Sequence, residues 1–256
     1  MALPLPPGLT HSEVAFLAEM EMVTVVPRQR LDSIELLSGK TPPLRPPRRE
    51  QLPLWLALLL KKQRRANIVP PPWLHPTSLQ DIIHKETKED PAAFSPPPPP
   101  ASSYRADVGR PGMVRRNDNG LDMASPPFRN SCTADALPGY LPYHWLEVAE
   151  ALLAHAGDDM GAPAGEVRSL LRDLVEVRAA KMRSSTSALE GFGGGLMSLR
   201  GVGAMELAET RGFVLGVVDG VRRIGAAAEA NRREEEEEGG FRNDREEEES
   251  DDDMGI

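Results

Sequence analysis

The stretch LPLWLALLLKKQRRANIVPPPWL, residues 52–74, decides how this chain can fold. Its apolar run, LPLWLALLL, ends abruptly in the basic group KKQRR, and three consecutive prolines follow a few residues later. The run is too short for a membrane-spanning helix, which needs about 20 apolar residues. Its apolar residues surround the helix axis instead of forming one stripe, and such a helix is normally buried against protein on all sides. We therefore expect a buried helix and not a membrane anchor.

Short segments of changing periodicity surround this helix. Residues 12–22, SEVAFLAEMEM, are typical of a short helix with Ser12 as its N-cap. The β-prone runs VTVVP, residues 23–27, and IELL, residues 34–37, predict a small hairpin or meander. After the basic group, residues 66–69 predict a further strand. The first part of the chain therefore combines short helices with several short strands.

Prolines divide the chain into two parts. Of the 25 prolines, only Pro142 and Pro163 lie beyond Tyr140, so the second half is free to be helical. Residues 91–139 contain five consecutive prolines and few aliphatic side chains, which predicts a disordered insertion. Beyond the insertion, apolar residues recur at helical spacing in three segments, at about 143–156, 166–184 and 204–224. Their wide apolar faces indicate partner subunits that cover them.

The charge is concentrated at the C-terminus. The chain carries a net charge of −9, but residues 234–256 alone hold 13 Asp and Glu against two Arg, which leaves about +2 for the rest. Such an acidic tail is first a solvated extension and second a mimic of nucleic acid toward basic partners. The single cysteine excludes an intramolecular disulfide and a cysteine-only metal site, which fits a reducing compartment, the cytosol or the nucleus.

No combination of residues predicts catalysis, a cofactor or a metal. The glycine-rich run 191–203 lacks the GK[ST] of a phosphate loop and follows a helix, so a linker is the better interpretation. His155, Asp158 and Asp159 have no second histidine in register and are typical of helix-end caps and solvated turn residues. Cys132 has no nearby histidine, which argues against a nucleophile.

Two short patterns allow two interpretations each. Lys61, Lys62, Arg64 and Arg65 form a basic cluster that suits phosphate contact or nuclear import, or else a solvated helix end. Residues 43–48, PLRPPR, match a ligand of Src-homology-three domains, or else form an ordinary loop.

Five blocks of the sequence, in order, resemble the family of GINS replication-complex subunits called partner of Sld-five, subunit two. The central block is the opening stretch itself. The others are EVAFLAEMEMVTVVP with LDSIELLSG, PYHWLEVAEALLAHAGDD, EVRSLLRDLVEVRAAKMR and GAMELAETRGFV. The resemblance covers about 10–90 and 140–225.

The resemblance implies an α+β fold, mainly α, with a small β-rich N-terminal domain followed by a helical bundle domain. The β-rich domain is expected at residues 1–70, with its linking helix at about 53–65. The α-helical domain is expected in two pieces, at 71–90 and 140–225. A disordered Pro-rich insertion is expected at 91–139, and a disordered acidic tail at 226–256.

The family also implies a function without catalysis. Its members are subunits of a nuclear heterotetramer of four related chains. That assembly binds the minichromosome-maintenance hexamer and its Cdc partner to form the replicative helicase. We expect a scaffold subunit whose contact with DNA is mostly indirect.

Apolar residues within the five blocks are the expected core or partner interface. They are Trp55, Leu56, Leu59, Trp73, Leu152, Leu153, Leu170, Leu174, Met205 and Phe213. Two alternatives of other classes stay open. One is a sequence-tolerant nucleic-acid-binding protein that uses residues 61–65, and the other is an acidic-tailed histone-binding protein.

Overall fold

The computed structural model describes residues 8–37, 39–99, 131–185 and 199–251. The described residues belong to two compact units: the first contains them up to residue 211, and the second begins at Gly212 within the last helix. The fold is α+β and mainly α, with a small sheet-containing N-terminal domain followed by a helical bundle domain.

The first helix, α1, spans His11–Ala18 and begins with a capping box. Its N-cap is Thr10, not the predicted Ser12. The Glu13 amide donates to the Thr10 side chain, and the Thr10 amide donates to the Glu13 carboxylate at 2.7 Å. These two bonds satisfy amides that the helix itself cannot pair. The helix ends earlier than its sequence pattern predicts because the chain enters the first strand at Met22.

A three-stranded antiparallel sheet forms the centre of the N-terminal domain. The strands of the chain are β1 (Met22–Pro27), β2 (Glu35–Leu36), β3 (Gly39–Lys40), β4 (Glu50–Pro53) and β5 (Ala66–Val69). In the order β4-β1-β5, Val23 pairs with Leu52, and Val25 pairs with Ile68. These four side chains are buried, so β1 is held by apolar contacts on both of its edges.

The predicted pairing of residues 23–27 with 34–37 is wrong. Strand β1 forms as expected, but it pairs with β4 and β5, whereas β2 pairs only with β3. The local hairpin does not form because the distant strands β4 and β5 supply buried apolar partners for β1, and the nearby strand β2 does not. Leu44, the second residue of the PLRPPR pattern, is fully buried and forms an antiparallel bridge with Leu31, whereas the other five residues of the pattern are exposed.

Helix α2, Leu54–Lys62, follows β4 without a side-chain cap. Backbone carbonyls at the end of α1 accept its first amides instead, with Leu54 donating to Glu21 at 2.8 Å and Trp55 donating to Glu19 at 3.1 Å. The start of α2 is therefore fixed by the turn between α1 and β1, which satisfies amides that would otherwise be unpaired.

The C-terminal domain is built from helices. They are a 3-10 turn (Pro72–Leu74), α3 (Pro76–His84) with a π turn (Lys85–Glu89), α4 (Trp145–His155), α5 (Ala164–Ser185) and α6 (Ala204–Asp251). The three predicted helical segments correspond to α4, α5 and the first part of α6. Buried residues of the sheet, of α2 and of α3 to α5 form one continuous core that includes Trp73 and Trp145, so the two domains share it.

Both described ends of the predicted disordered insertion are packed into the fold. Cys132 is fully buried, and the Trp73 indole donates to the Ser131 carbonyl at 3.1 Å. The Ala134 amide donates to the Thr24 hydroxyl at 2.9 Å, which joins this segment to the sheet. The average composition of residues 91–139 does not reveal that these end residues are buried, because the prolines and polar residues between them dominate the average. Residues 100–130 lie outside the described residues.

Helix α6 continues to Asp251, which differs from the disordered tail predicted for 226–256. The extension contains no proline and consists mostly of Ala, Glu and Arg, which are strong helix formers. The side chains of residues 225–233 are exposed, so local helix propensity and not burial accounts for the helix there.

Candidate partner-binding surfaces

An ion-pair latch joins the N-terminal domain to the helical domain. The Lys61 ammonium, at the end of α2, lies 2.8 Å from carboxylate oxygens of both Asp158 and Asp159, which follow α4. Asp159 also accepts a hydrogen bond from the Ile68 amide of β5 at 2.7 Å. Burial opposes the charge of Lys61, but the bonds to the two carboxylates outweigh it and raise its pKa. The same contact with Lys61 lowers the pKa of Asp158.

The contacts of the latch test the sequence-based interpretations of Asp158, Asp159 and Lys61. Asp158 lies in a turn as predicted, but Asp158 and Asp159 pair with a lysine, and Asp159 with a strand amide, and Asp159 is not solvated, because only 10% of its side chain is exposed. Lys61, in contrast, is not a solvated helix end, because only 9% of its side chain is exposed. The basic cluster is thus divided, with Lys61 inside the fold and its three companions exposed.

A buried ionic network holds the helical domain together. Arg178 of α5 donates through Nε to Glu206 at 2.6 Å and through Nη1 to Glu86. Its Nη2 donates to the Gly201 carbonyl at 2.6 Å, and its guanidinium lies 4.9 Å from the centre of the Phe94 ring. A buried guanidinium needs such complete pairing, because an unpaired buried charge is strongly destabilising. The network therefore fixes the beginning of α6 against α3 and α5.

A second buried polar cluster lies where α1, α4 and residues 131–133 meet. Glu21 is fully buried, and burial raises its pKa to about 7 against smaller opposing effects of His144 and the Cys132 thiol. His144 Nδ1 lies 3.1 Å from Glu147, which raises the pKa of Glu21 slightly further. Burial, with Glu21 nearby, holds the pKa of the Cys132 thiol well above its usual range. This cysteine therefore stays protonated and is not activated as a nucleophile.

Exposed apolar side chains lie on α1 and α2. On α1, Val14 and Ala18 are buried, while Phe16 is 69% exposed and Leu17 is exposed too, and Met20 is exposed in the turn after the helix. On α2, Leu59 is 44% exposed although its neighbours in the helix are largely buried. Single exposed apolar residues are ordinary, but a group on one helix face marks a surface that a partner can cover.

A groove between α4 and α5 provides a second apolar surface. Its volume is about 450 Å³, and its apolar lining includes Leu146, Leu153, Leu171 and Val175. Charged residues also line it, namely Glu150, Arg168, Arg172 and Glu209. An apolar floor with charged residues around it suits the face of an amphipathic helix. In the second compact unit, α6 exposes a further group, Phe213, Leu215 and Ile224.

A basic cleft lies beside the latch. Its volume is about 380 Å³, and its lining residues are Arg28, Lys61, Lys62, Arg64, Ala66 and Asp158. Sequence reasoning missed Arg28, because this residue lies more than 30 positions before the cluster and reaches it only through the pairing of β1 with β5.

The predicted core or interface residues separate into three groups by burial. Those buried in the fold are Leu56, Trp73, Leu152, Leu153, Leu174 and Met205. Trp55 and Leu170 are half-buried against the core, and Leu59 and Phe213 are exposed. The exposed and half-buried groups are the ones that remain available to a partner.

Within the described ranges, no group of three or more His, Cys, Asp or Glu is arranged to hold a metal ion. No helix in the described part of the chain is both long enough and apolar enough to cross a membrane.

Family comparisons match the chain in two adjoining parts. Residues 10–69 match the PSF2 N-terminal domain, and residues 73–225 match the GINS complex protein helical bundle domain. The boundary between the two matches falls just after β5.

Whole-chain comparisons find similar proteins in fungi. A Neurospora crassa protein named DNA replication complex GINS protein psf2 is 73% identical over 248 residues, which cover 91% of this chain and 90% of the relative. The protein of that name from Gibberella zeae is 67% identical over 231 residues, which cover 90% of each chain. The one from Schizosaccharomyces pombe is 30% identical over 226 residues, 88% of this chain and 96% of the relative.

Proposed function

The chain belongs to the PSF2 family of GINS complex proteins, and we propose that it is a noncatalytic scaffold subunit of a heterotetramer of four related chains. DNA replication is the process in which it acts, which the names of its relatives support. Its partners are three sister GINS subunits, and the assembled complex binds the minichromosome-maintenance hexamer and its Cdc partner protein in the nucleus.

The observation that carries this proposal is the apolar face of α1. Phe16 and Leu17 are exposed on a helix whose Val14 and Ala18 are buried, and Met20, in the turn after the helix, is exposed as well. A subunit that always works in an assembly leaves such faces exposed when it is considered alone, because its partners bury them. The groove between α4 and α5 and the exposed apolar residues of α6 support the same conclusion.

Purification of the tagged full chain from nuclear extract, followed by size-exclusion chromatography and mass spectrometry, tests the proposal. We expect three further subunits of similar size in equal amounts, eluting at a volume near that of four chains. Elution as a lone monomer would contradict the proposal.

A pair of variants tests whether the face of α1 is an interface. Phe16→Asp introduces a charge on that face, and we expect the sister subunits to be lost or strongly depleted from the purified material. Leu37→Asp is the matched control, because Leu37 is a fully exposed apolar residue in the turn after β2. Circular dichroism must show both variants folded. Equal recovery of the sister subunits with both variants would mean that α1 is not the interface.

The two alternatives have weaker support. Nucleic-acid binding through residues 61–65 loses one of its four cations, since Lys61 is paired with Asp158 and Asp159. Histone binding depends on the acidic tail, and deletion of residues 234–256 distinguishes it from the scaffold proposal, which expects assembly to survive that deletion.

A further inference from the structure

The basic cleft concentrates positive charge in a small volume. Four cationic residues, Arg28, Lys61, Lys62 and Arg64, line it against a single carboxylate, that of Asp158. Its volume of about 380 Å³ lies near the lower end of the range for small-ligand pockets, roughly 300–1,000 Å³.

Three of the four cations are available to a ligand. Lys61 is held by Asp158 and Asp159, but Lys62 and Arg64 are exposed and form no ion pair with any described residue. Arg28 donates through Nε to Asn67 at 2.7 Å, which orients its guanidinium and leaves its two terminal nitrogens for a ligand. A guanidinium presented in this way matches the oxygens of a phosphoryl group.

Arg64 has a backbone conformation that favours glycine. Its φ is +58°, in the left-handed region, directly after the last residues of α2. Helices commonly end on such a residue, which is usually glycine because a side chain costs energy there. Arginine at this position is unfavourable for the fold, and an unfavourable backbone at a surface cleft points to a function of the side chain.

The lining selects among anions. Among the described residues that line the cleft, only Ala66 is apolar. Neither a nucleotide base nor an aromatic ring therefore has a surface to stack on. The cationic residues are confined to this one small cleft, whereas a polynucleotide needs an extended basic stripe.

We propose that the cleft between Arg28, Lys62 and Arg64 binds a phosphoryl group carried by a serine or threonine of a partner protein. Arginine clusters are a recurring means of recognising phosphorylated segments. The inference does not depend on the subunit composition of the complex, because every lining residue belongs to this chain.

The test uses the full chain, purified together with whatever subunits accompany it. Peptides of random sequence with a central phosphothreonine or phosphoserine are arrayed beside the same peptides with an unmodified residue or glutamate. Dissociation constants of the strongest binders are then measured by fluorescence polarisation for the wild type, Arg64→Gly and Arg65→Ala. A single-stranded oligonucleotide serves as a competitor.

Arg64→Gly separates binding from folding. Glycine suits the backbone at this position, so we expect an unchanged or higher thermal midpoint, while affinity for the phosphopeptide falls about tenfold or more. Arg65→Ala removes one charge from the same cluster outside the cleft lining and should leave affinity within about twofold.

Three results would overturn the proposal. The first is wild-type binding to phosphopeptides no stronger than to their unmodified forms. The second is equal binding of the glutamate peptides, which indicates a general acidic-segment site. The third is equal loss of affinity in Arg64→Gly and Arg65→Ala with efficient competition by the oligonucleotide, which indicates a nucleic-acid surface.

Discussion

Glu21 is a single residue whose environment makes stability depend on pH. Its carboxyl is buried beside Cys132, His144 and Glu147, and its pKa is raised from 4.5 to about 7. Between these two values the folded chain keeps a proton that the unfolded chain has released. The free energy of unfolding therefore falls as pH rises through this window, by roughly 3 kcal/mol in total from this group.

Glu21→Gln removes this dependence. We expect the variant to exceed the wild type in unfolding free energy above pH 7 and to lose that advantage near pH 4.5, because glutamine stays neutral throughout. Urea unfolding at several pH values measures the difference. Glu176→Gln on the exposed side of α5 is the control and should follow the wild-type curve. Parallel curves for wild type and Glu21→Gln would show that Glu21 titrates normally.

Gly201 is required by its backbone and by its neighbours. Its φ is +86°, and a Cβ at this position would lie 2.2 Å from the Ser95 carbonyl oxygen. We expect Gly201→Ala to lower the free energy of unfolding by about 2 kcal/mol or more.

Thermal unfolding measures this loss, with Gly216→Ala as the matched control. Gly216 is an exposed helical residue with open space around it, so alanine there should stabilise by about 0.5–1 kcal/mol. If Gly201→Ala had the thermal midpoint of the wild type, the backbone at Gly201 would not lie as close to the Ser95 carbonyl oxygen as the structure shows.

Individual residues of these sites were only partly predictable from sequence. The cap and turn interpretation of Asp158 and Asp159 follows from their position after a helix, but their partner Lys61 lies 97 positions away from Asp158. Burial of Glu21 was not predictable, because this charged residue lies between Met20 and Met22, in the turn between α1 and β1, where neither a helical nor a strand period assigns it to a face. Only the packing of α4 and residues 131–133 onto the N-terminal domain removes this side chain from water.

At the level of elements, the latch between α2 and the end of α4 determines how firmly β5 is held. Lys61→Met removes both ion pairs and keeps a long, unbranched side chain. It leaves two carboxylates without their cation, so we expect a loss of roughly 1–3 kcal/mol in unfolding free energy. Faster hydrogen exchange of the Ile68 amide should accompany it, because Asp159 loses the contact that orients it.

Lys62→Met is the control for the latch. Lys62 is exposed and belongs to no ion pair within the described ranges, so its replacement should change stability by no more than about 0.5 kcal/mol. Equal exchange at Ile68 in the two variants would show that the latch does not stabilise the sheet.

The helices with a strong apolar period were predictable from sequence, but the pairing of the strands was not. Helices α4 and α5 and the beginning of α6 follow from apolar spacing, because that spacing is a local property of the chain. The partners of β1 are chosen by contacts between distant segments, and no local pattern encodes those. The extension of α6 was missed for a different reason, since a charged run without an apolar face gives no periodic signal although its helix propensity is high.

In the whole molecule, the ends of the Pro-rich insertion belong to the fold. Deleting residues 91–138 removes Cys132, the Ser131 carbonyl that binds Trp73, and the Ala93 carbonyl that binds Lys181. We expect that deletion to cost about 3 kcal/mol or more, in contrast to what composition alone indicated. Replacing only residues 100–130 with a Gly-Ser linker of the same length keeps these contacts, so we expect this variant to have a higher thermal midpoint than the 91–138 deletion.

Solubility and the thermal midpoints of the deletion variant and the linker variant measure the contribution of the two ends. A wild-type midpoint for the 91–138 deletion would mean that the described ends add nothing to stability.

The buried network around Arg178 has a consequence for biosynthesis. Glu206 follows Arg178 by 28 residues, so the ribosome makes the arginine before its second carboxylate. At about 5–20 residues per second, the nascent helical domain waits roughly 1–6 s with an incompletely neutralised cation. The sheet, whose last strand ends at Val69, can form during this synthesis. The Arg178 network is complete only after Glu206 has been translated, so we expect a polypeptide that terminates before Glu206 to be a substrate for chaperones and proteases.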